Sequence, residues 1–180
     1  HPKMGFAQPL SLGYSGKSEL IEFETVMPHT TGEIMEKMRK EMPEGIELIS
    51  CFELPENIKS LAADADAAEY KIWIPTSLSE DVLKKEMDRY LNMTEIVALK
   101  RQKKTKKMEP VNIRPMIRSL EINKVGDFAM IKALLDCGSR SNCSPELVIS
   151  SFCSHCGIET PRYDMEVERT NIFFVNKLQY

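Results

Sequence analysis

The sequence predicts an α+β chain, antiparallel sheets with helices laid on one face. Three observations predict it: period-two runs alternate with helical stripes, Ser or Thr caps mark the helix starts, and Pro or Gly closes the elements. With 180 residues, 42% of them hydrophobic and 28% charged, the chain is long enough to bury a core as one large or two small domains.

Phe6 to Val26 reads as a hairpin around Gly13-Tyr14-Ser15-Gly16, with Ile21, Phe23 and Thr25 on one face and Glu22 and Glu24 on the other. Thr30 with Glu33 forms a capping box, and Ile34, Met38 and Met42 recur every four residues, so a helix runs from Thr31 to Met42 and stops at Pro43. Gly45 turns the chain into an alternating strand through Ile46, Leu48 and Phe52. Leu61 to Ala68, LAADADAA, lacks the apolar spacing of a packed helix and reads as a spacer between domains. Tyr70 to Ile74 is a strand with Tyr70, Ile72 and Ile74 on one face. Ser77 and Glu80 suggest a second capping box, opening a helix with Leu83, Met87, Tyr90 and Leu91 on one stripe. Glu95 to Leu99 is a short strand, Val111 to Leu120 an irregular insert, and Phe128 to Leu135 a long period-two run. Ser144, Pro145 and Glu146 supply cap, first-turn proline and first-turn acid for a helix to Cys153, and Tyr163 to Val175 is extended.

The second half therefore reads strand, helix, strand, strand, helix, strand, the split βαβ or ferredoxin-like order. The first half shows the last four of those elements. The expectation is two ferredoxin-like units in tandem, over residues 1–63 and 64–180, the first lacking its initial strand and helix ahead of His1.

Charge singles out one stretch. Lys100, Arg101, Lys103, Lys104, Lys106 and Lys107 place six cations in eight residues, and taking these six from a net charge of -3 leaves -9 for the remainder. A positive run on an acidic background favours a polyanionic partner, and RNA is the expected one, with Arg114 and Arg118 beside the run. A plainer use of the lysines is to keep a short edge strand from pairing with other chains. Tyr70 and Trp73 fall on opposite faces of their strand, so a paired aromatic platform is not evident.

Five cysteines, an odd number in a chain of this size, read as reduced thiols. Cys137, Cys143, Cys153 and Cys156 are a weak candidate for zinc, since only Cys153 and Cys156 have ligand spacing. That pair sits at a helix C-terminal end, where the dipole opposes a thiolate, so redox use is disfavoured. Gly13-x-x-Gly16 precedes a strand and lacks a following Lys-Ser/Thr, so it is a turn and not a phosphate loop. His1, His29 and His155 are scattered and no carboxylate pair or Ser/His/Asp set stands out, so catalysis by this chain is not the expectation, and no cofactor is expected. No apolar run approaches the roughly 18 residues of a membrane span, which makes the cytoplasm the expected compartment.

Several short motifs carry a resemblance. They are His1-Pro2-Lys3 with Phe6-Ala7, Pro9-Leu10-Ser11-Leu12-Gly13, Met42-Pro43-Glu44-Gly45-Ile46, Ala68-Glu69-Tyr70, Asn112-Ile113-Arg114-Pro115 with Ile117, Pro145-Glu146 and Arg169-Thr170. In order and spacing the chain resembles the radical-SAM-linked protein family, bacterial proteins of unknown function fused to or encoded beside B12-binding-type radical SAM proteins. The resemblance implies a radical SAM protein as partner and a setting near RNA or the ribosome. It also implies an N-terminal strand and basic helix, and it makes Lys3 and Arg169 candidate anion contacts. Where that family has aspartate ahead of Ile-Arg-Pro, this chain has Asn112. Together these readings suggest a non-catalytic RNA-binding or substrate-presenting partner. The alternatives are an RNA-acting enzyme whose active residues lie in the absent N-terminal region, and a module that docks the radical SAM partner.

Overall fold

A computed structural model describes residues 4–55, 58–102 and 105–176. It shows a mixed α+β chain whose largest sheet has five strands. Its central strand is β4 (Ala65–Pro75), paired antiparallel with β8 (Phe128–Asp136) on one side and with β9 (Glu166–Phe174) on the other. β7 (Ile117–Val125) adds antiparallel to β8, and the short β2 (Ser15–Gly16) adds parallel to the outer edge of β9. The order β9, β4, β8, β7 is that of a split βαβ unit.

One face of the sheet carries the core. Tyr70, Ile72 and Ile74 alternate with half-exposed Glu69, Lys71 and Trp73 along β4, as a strand with one covered side requires. Ile131, Ala133 and Leu135 of β8 and Leu120 and Ile122 of β7 extend the same apolar layer. Against it lie α3 (Glu80–Leu91), through Leu83, Met87 and Tyr90, and α4 (Pro145–Cys156), through Leu147, Val148 and Phe152. The Tyr90 ring meets Phe152 edge-on at 5.3 Å between centroids, and its hydroxyl lies 2.6 Å from Ser151 Oγ, so a polar tip is satisfied inside an apolar layer. Ser144 caps α4 and Pro145 fills its first turn, as the sequence predicts, while the helix runs on past Cys153 until Gly157 adopts a left-handed cap at φ 65°.

Four local readings change. The second helix is capped by Ser79 and not Ser77, because Thr76 Oγ1 already accepts the Leu78 amide and holds the preceding residues in a turn. LAADADAA is a short helix, α2 (Leu61–Asp64), running straight into β4, with Leu61, Asp64, Ala65, Ala67 and Ala68 buried. Gly138 packs against the backbone of this segment: a Cβ at 138 would collide with the Ala65 carbonyl oxygen, so that position requires glycine. No strand forms over residues 46–52. Finally, β5 (Val97–Arg101) leaves the main sheet and pairs only with β6 (Met108–Asn112), while the sheet strand is β7, which begins inside the expected insert.

Residues before β4 form an antiparallel pair, β1 (Met4–Phe6) with β3 (Ile21–Phe23), and the helix α1 (Thr31–Glu41), which has the expected Thr30–Glu33 capping box. Among the described residues, that segment does not repeat the four-stranded order of the second half. No described helix is long and apolar enough to cross a membrane.

Phe152 is fully buried where α4 meets the sheet. Phe152→Ala is expected to lower stability by about 3–5 kcal/mol, read as a reduced urea midpoint at unchanged slope.

Candidate nucleic-acid interface

The basic run lies on the β5–β6 hairpin, where register pairs Val97 with Asn112 and Arg101 with Met108. The Gln102 amide donates to the Lys107 carbonyl at 2.8 Å and the Lys106 amide to the Gln102 carbonyl at 2.9 Å, with Lys106 at φ 60°. These bonds hold Gln102, Lys106 and Lys107 together at the end of the hairpin. Lys100, Arg101, Lys106 and Lys107 are exposed, and none has a carboxylate ion pair among the described residues. Lys103 and Lys104 lie outside the described residues, as does Lys3. Val97, Leu99 and Met108 are more than half exposed on the same hairpin.

The base of the hairpin is fastened to the core. Ile96, Ala98 and Ile113 are buried, and the Ile113 amide donates to the Ile96 carbonyl at 2.8 Å. Asn112 Oδ1 accepts the amides of both Ile96 and Arg114 at 3.0 Å, closing the strand ends in one side chain. This role needs only an acceptor oxygen, so amide or carboxylate would serve.

The two arginines beyond the hairpin are engaged within the molecule. Arg114 Nε donates to the Leu91 carbonyl at 3.0 Å, joining the hairpin to the C-terminal end of α3. Arg118 uses all three nitrogens: Nε to Asp136 at 2.7 Å, Nη1 to Asp66 at 2.7 Å, and Nη2 to the Asp66 carbonyl at 3.0 Å. The guanidinium beside Asp66 holds that carboxyl below the usual range.

Arg169 is only 3% exposed. Its Nε donates to Glu19 at 2.8 Å and its Nη2 to the Gln8 carbonyl at 2.7 Å and to the second Glu19 oxygen. The Lys17 amide also donates to the Arg169 carbonyl at 3.0 Å, so this residue ties the N-terminal segment to β9. A second tie joins Tyr14, whose hydroxyl donates to Glu146 at 2.8 Å, to Arg162, which grips both oxygens of the same carboxylate. Burial works against the charge of Glu146, yet the Arg162 and Tyr14 hydrogen bonds outweigh it and hold its pKa below the usual range.

The cysteines form no metal site: no group of three or more His, Cys, Asp or Glu side chains among the described residues is placed to hold an ion. Burial raises the thiols of Cys137, Cys153 and Cys156 to about 11 and that of Cys143 to about 12, so they behave as packed, protonated side chains.

A family model of bacterial proteins matches residues 1–145 of the chain. The chain belongs to the family described as "Uncharacterized protein conserved in bacteria (DUF2344)". That description names no reaction, ligand or radical SAM partner. No curated protein matches this DUF2344 chain.

Sequence reasoning found the hairpin cations but missed Asn112 as its fastening, and missed Glu19 and Tyr14 as tethers. Only the Ile-Arg-Pro context of Asn112 hinted at a local role, since the tether partners lie far apart in sequence. Asn112→Ala leaves two amides without an acceptor and is expected to cost about 1–3 kcal/mol. Hydrogen exchange should then accelerate at Ile96 and Arg114 before it does in β4 or β8.

Proposed function

We propose that this chain is an RNA-binding module that holds phosphates with the β5–β6 hairpin and presents the bound strand, or a substrate, to a radical SAM protein. The observation that carries the RNA reading is the exposed set Lys100, Arg101, Lys106 and Lys107, unpaired by carboxylates among the described residues of a chain with net charge -3. Counterion release from an RNA strand would drive such binding without a preformed pocket. The resemblance to radical-SAM-linked proteins supports the second half of the reading.

Protein docking through the same hairpin is a second reading, favoured by exposed Val97, Leu99 and Met108. The two separate by experiment. Replacing Lys103, Lys104, Lys106 and Lys107 with Gln is expected to weaken binding of a single-stranded RNA oligonucleotide by about 100-fold near 0.1 M salt, as follows from removing about four phosphate contacts. Fluorescence anisotropy reads the change. Unaltered affinity would remove the hairpin from RNA binding and leave protein docking as its role.

A further inference from the structure

An antiparallel pair laid on a core commonly turns apolar residues inward and polar ones to water. The β5–β6 ribbon departs from that pattern. Its covered face is ordinary: Ala98 is buried and Val111 packs against the same apolar layer. Register sets Leu99 opposite Pro110 and Arg101 opposite Met108, so Val97, Leu99, Met108 and Pro110 share the other face. There Val97, Leu99 and Met108 are 56%, 59% and 55% exposed, and Pro110 is exposed beside them. An apolar strip left in water, on a ribbon whose other side is already fastened, marks a binding surface.

Charge and shape decide the occupant. Lys100, Arg101, Lys106 and Lys107 beside the strip are exposed and have no carboxylate ion pair among the described residues, so the ligand that complements them is an anion. Pro110 brings no amide donor to β6, which makes that strand a poor template for an added strand from a protein. A docked helix is about 10–12 Å across and lies in a groove, whereas the strip is one face of two strands about 4.8 Å apart. A planar base needs only such a face.

We propose that the strip of Val97, Leu99, Met108 and Pro110 takes the unpaired bases of a single-stranded RNA while the hairpin cations hold its phosphates. With the RNA reading of the hairpin as its premise, the strip adds selectivity for single strands. Charge alone would not give that selectivity, because the salt slope per phosphate contact is about 0.9 for a duplex against about 0.7 for a single strand. The bases of a duplex are stacked inside it, out of reach of Val97 and Leu99. A single strand offers the face of every base.

The test compares, with the full chain, an RNA of about 12 nucleotides that cannot pair with itself and the same strand annealed to its complement. The single strand is expected to bind about tenfold more tightly at equal salt. The double substitution Val97→Ser with Leu99→Ser should weaken the single strand about fivefold, leave the duplex unchanged and leave the salt slope unchanged, because no cation is lost. Leu99→Phe supplies a ring for stacking and should tighten the single strand about twofold with the duplex again unchanged. Both positions are more than half exposed, and the thermal midpoint checks that the variants stay folded. A duplex that binds as tightly as the single strand, or a serine variant with undiminished single-strand affinity, would overturn the base-binding strip and leave the RNA reading of the hairpin in place. Binding of neither RNA would remove both. Serine-sensitive binding to phosphatidylglycerol vesicles in that case would assign the strip to a lipid surface instead.

Discussion

Two-sided pairing of β4 is the constraint from which the rest of the architecture follows. Nine residue pairs run in unbroken register from Ala67–Asp136 to Pro75–Phe128 on the β8 side, while the β9 side holds its register across two irregularities. Helices α3 and α4 arrive by crossover and both pack on one face of this strand. Anything the chain inserts between α3 and β7 must leave that layer. The β5–β6 hairpin is such an insert, and its charged end stands outside because only its base, at Ile96, Ala98 and Ile113, is buried and fastened.

Charge is separated within the molecule by how its arginines are spent. Arg118, Arg162 and Arg169 each grip carboxylates at joints between segments, where bidentate or multiple hydrogen bonds fix geometry as well as offset charge. Arg169 is the extreme case, a buried guanidinium whose removal would leave Glu19 without its partner. Lys100, Lys106 and Lys107 of the hairpin have no such duty among the described residues. Among the described residues, Lys100, Arg101, Lys106 and Lys107 are exposed and without a carboxylate partner, so the hairpin presents a positive end.

Much of this was legible in the sequence because it rests on local physics. Two of the three predicted helix starts follow from capping chemistry at Thr30 and Ser144, and β4 and β8 follow from strict alternation of apolar residues. What escaped was non-local or irregular. β7 hides because a register shift between Ile117 and Ser119 breaks its period of two. The alternation at Ile46, Leu48 and Phe52 misleads because a strand exists only with a ladder partner, which these residues lack in the described chain. The alanines before Tyr70 read as a spacer, yet Ala65, Ala67 and Ala68 are buried in a strand paired with β8 and β9, partners far away in sequence. For the site, the cations were visible as a run, whereas which arginines were committed to carboxylates depended on contacts between distant residues.

The account stands on the hairpin cations acting together on a phosphate chain. Its most direct test is the slope of log affinity against log salt concentration for the unaltered protein and a single-stranded RNA. A site engaging about four to six phosphates predicts a slope between about -3 and -4. A slope near zero, or no measurable association even at low salt, would contradict it.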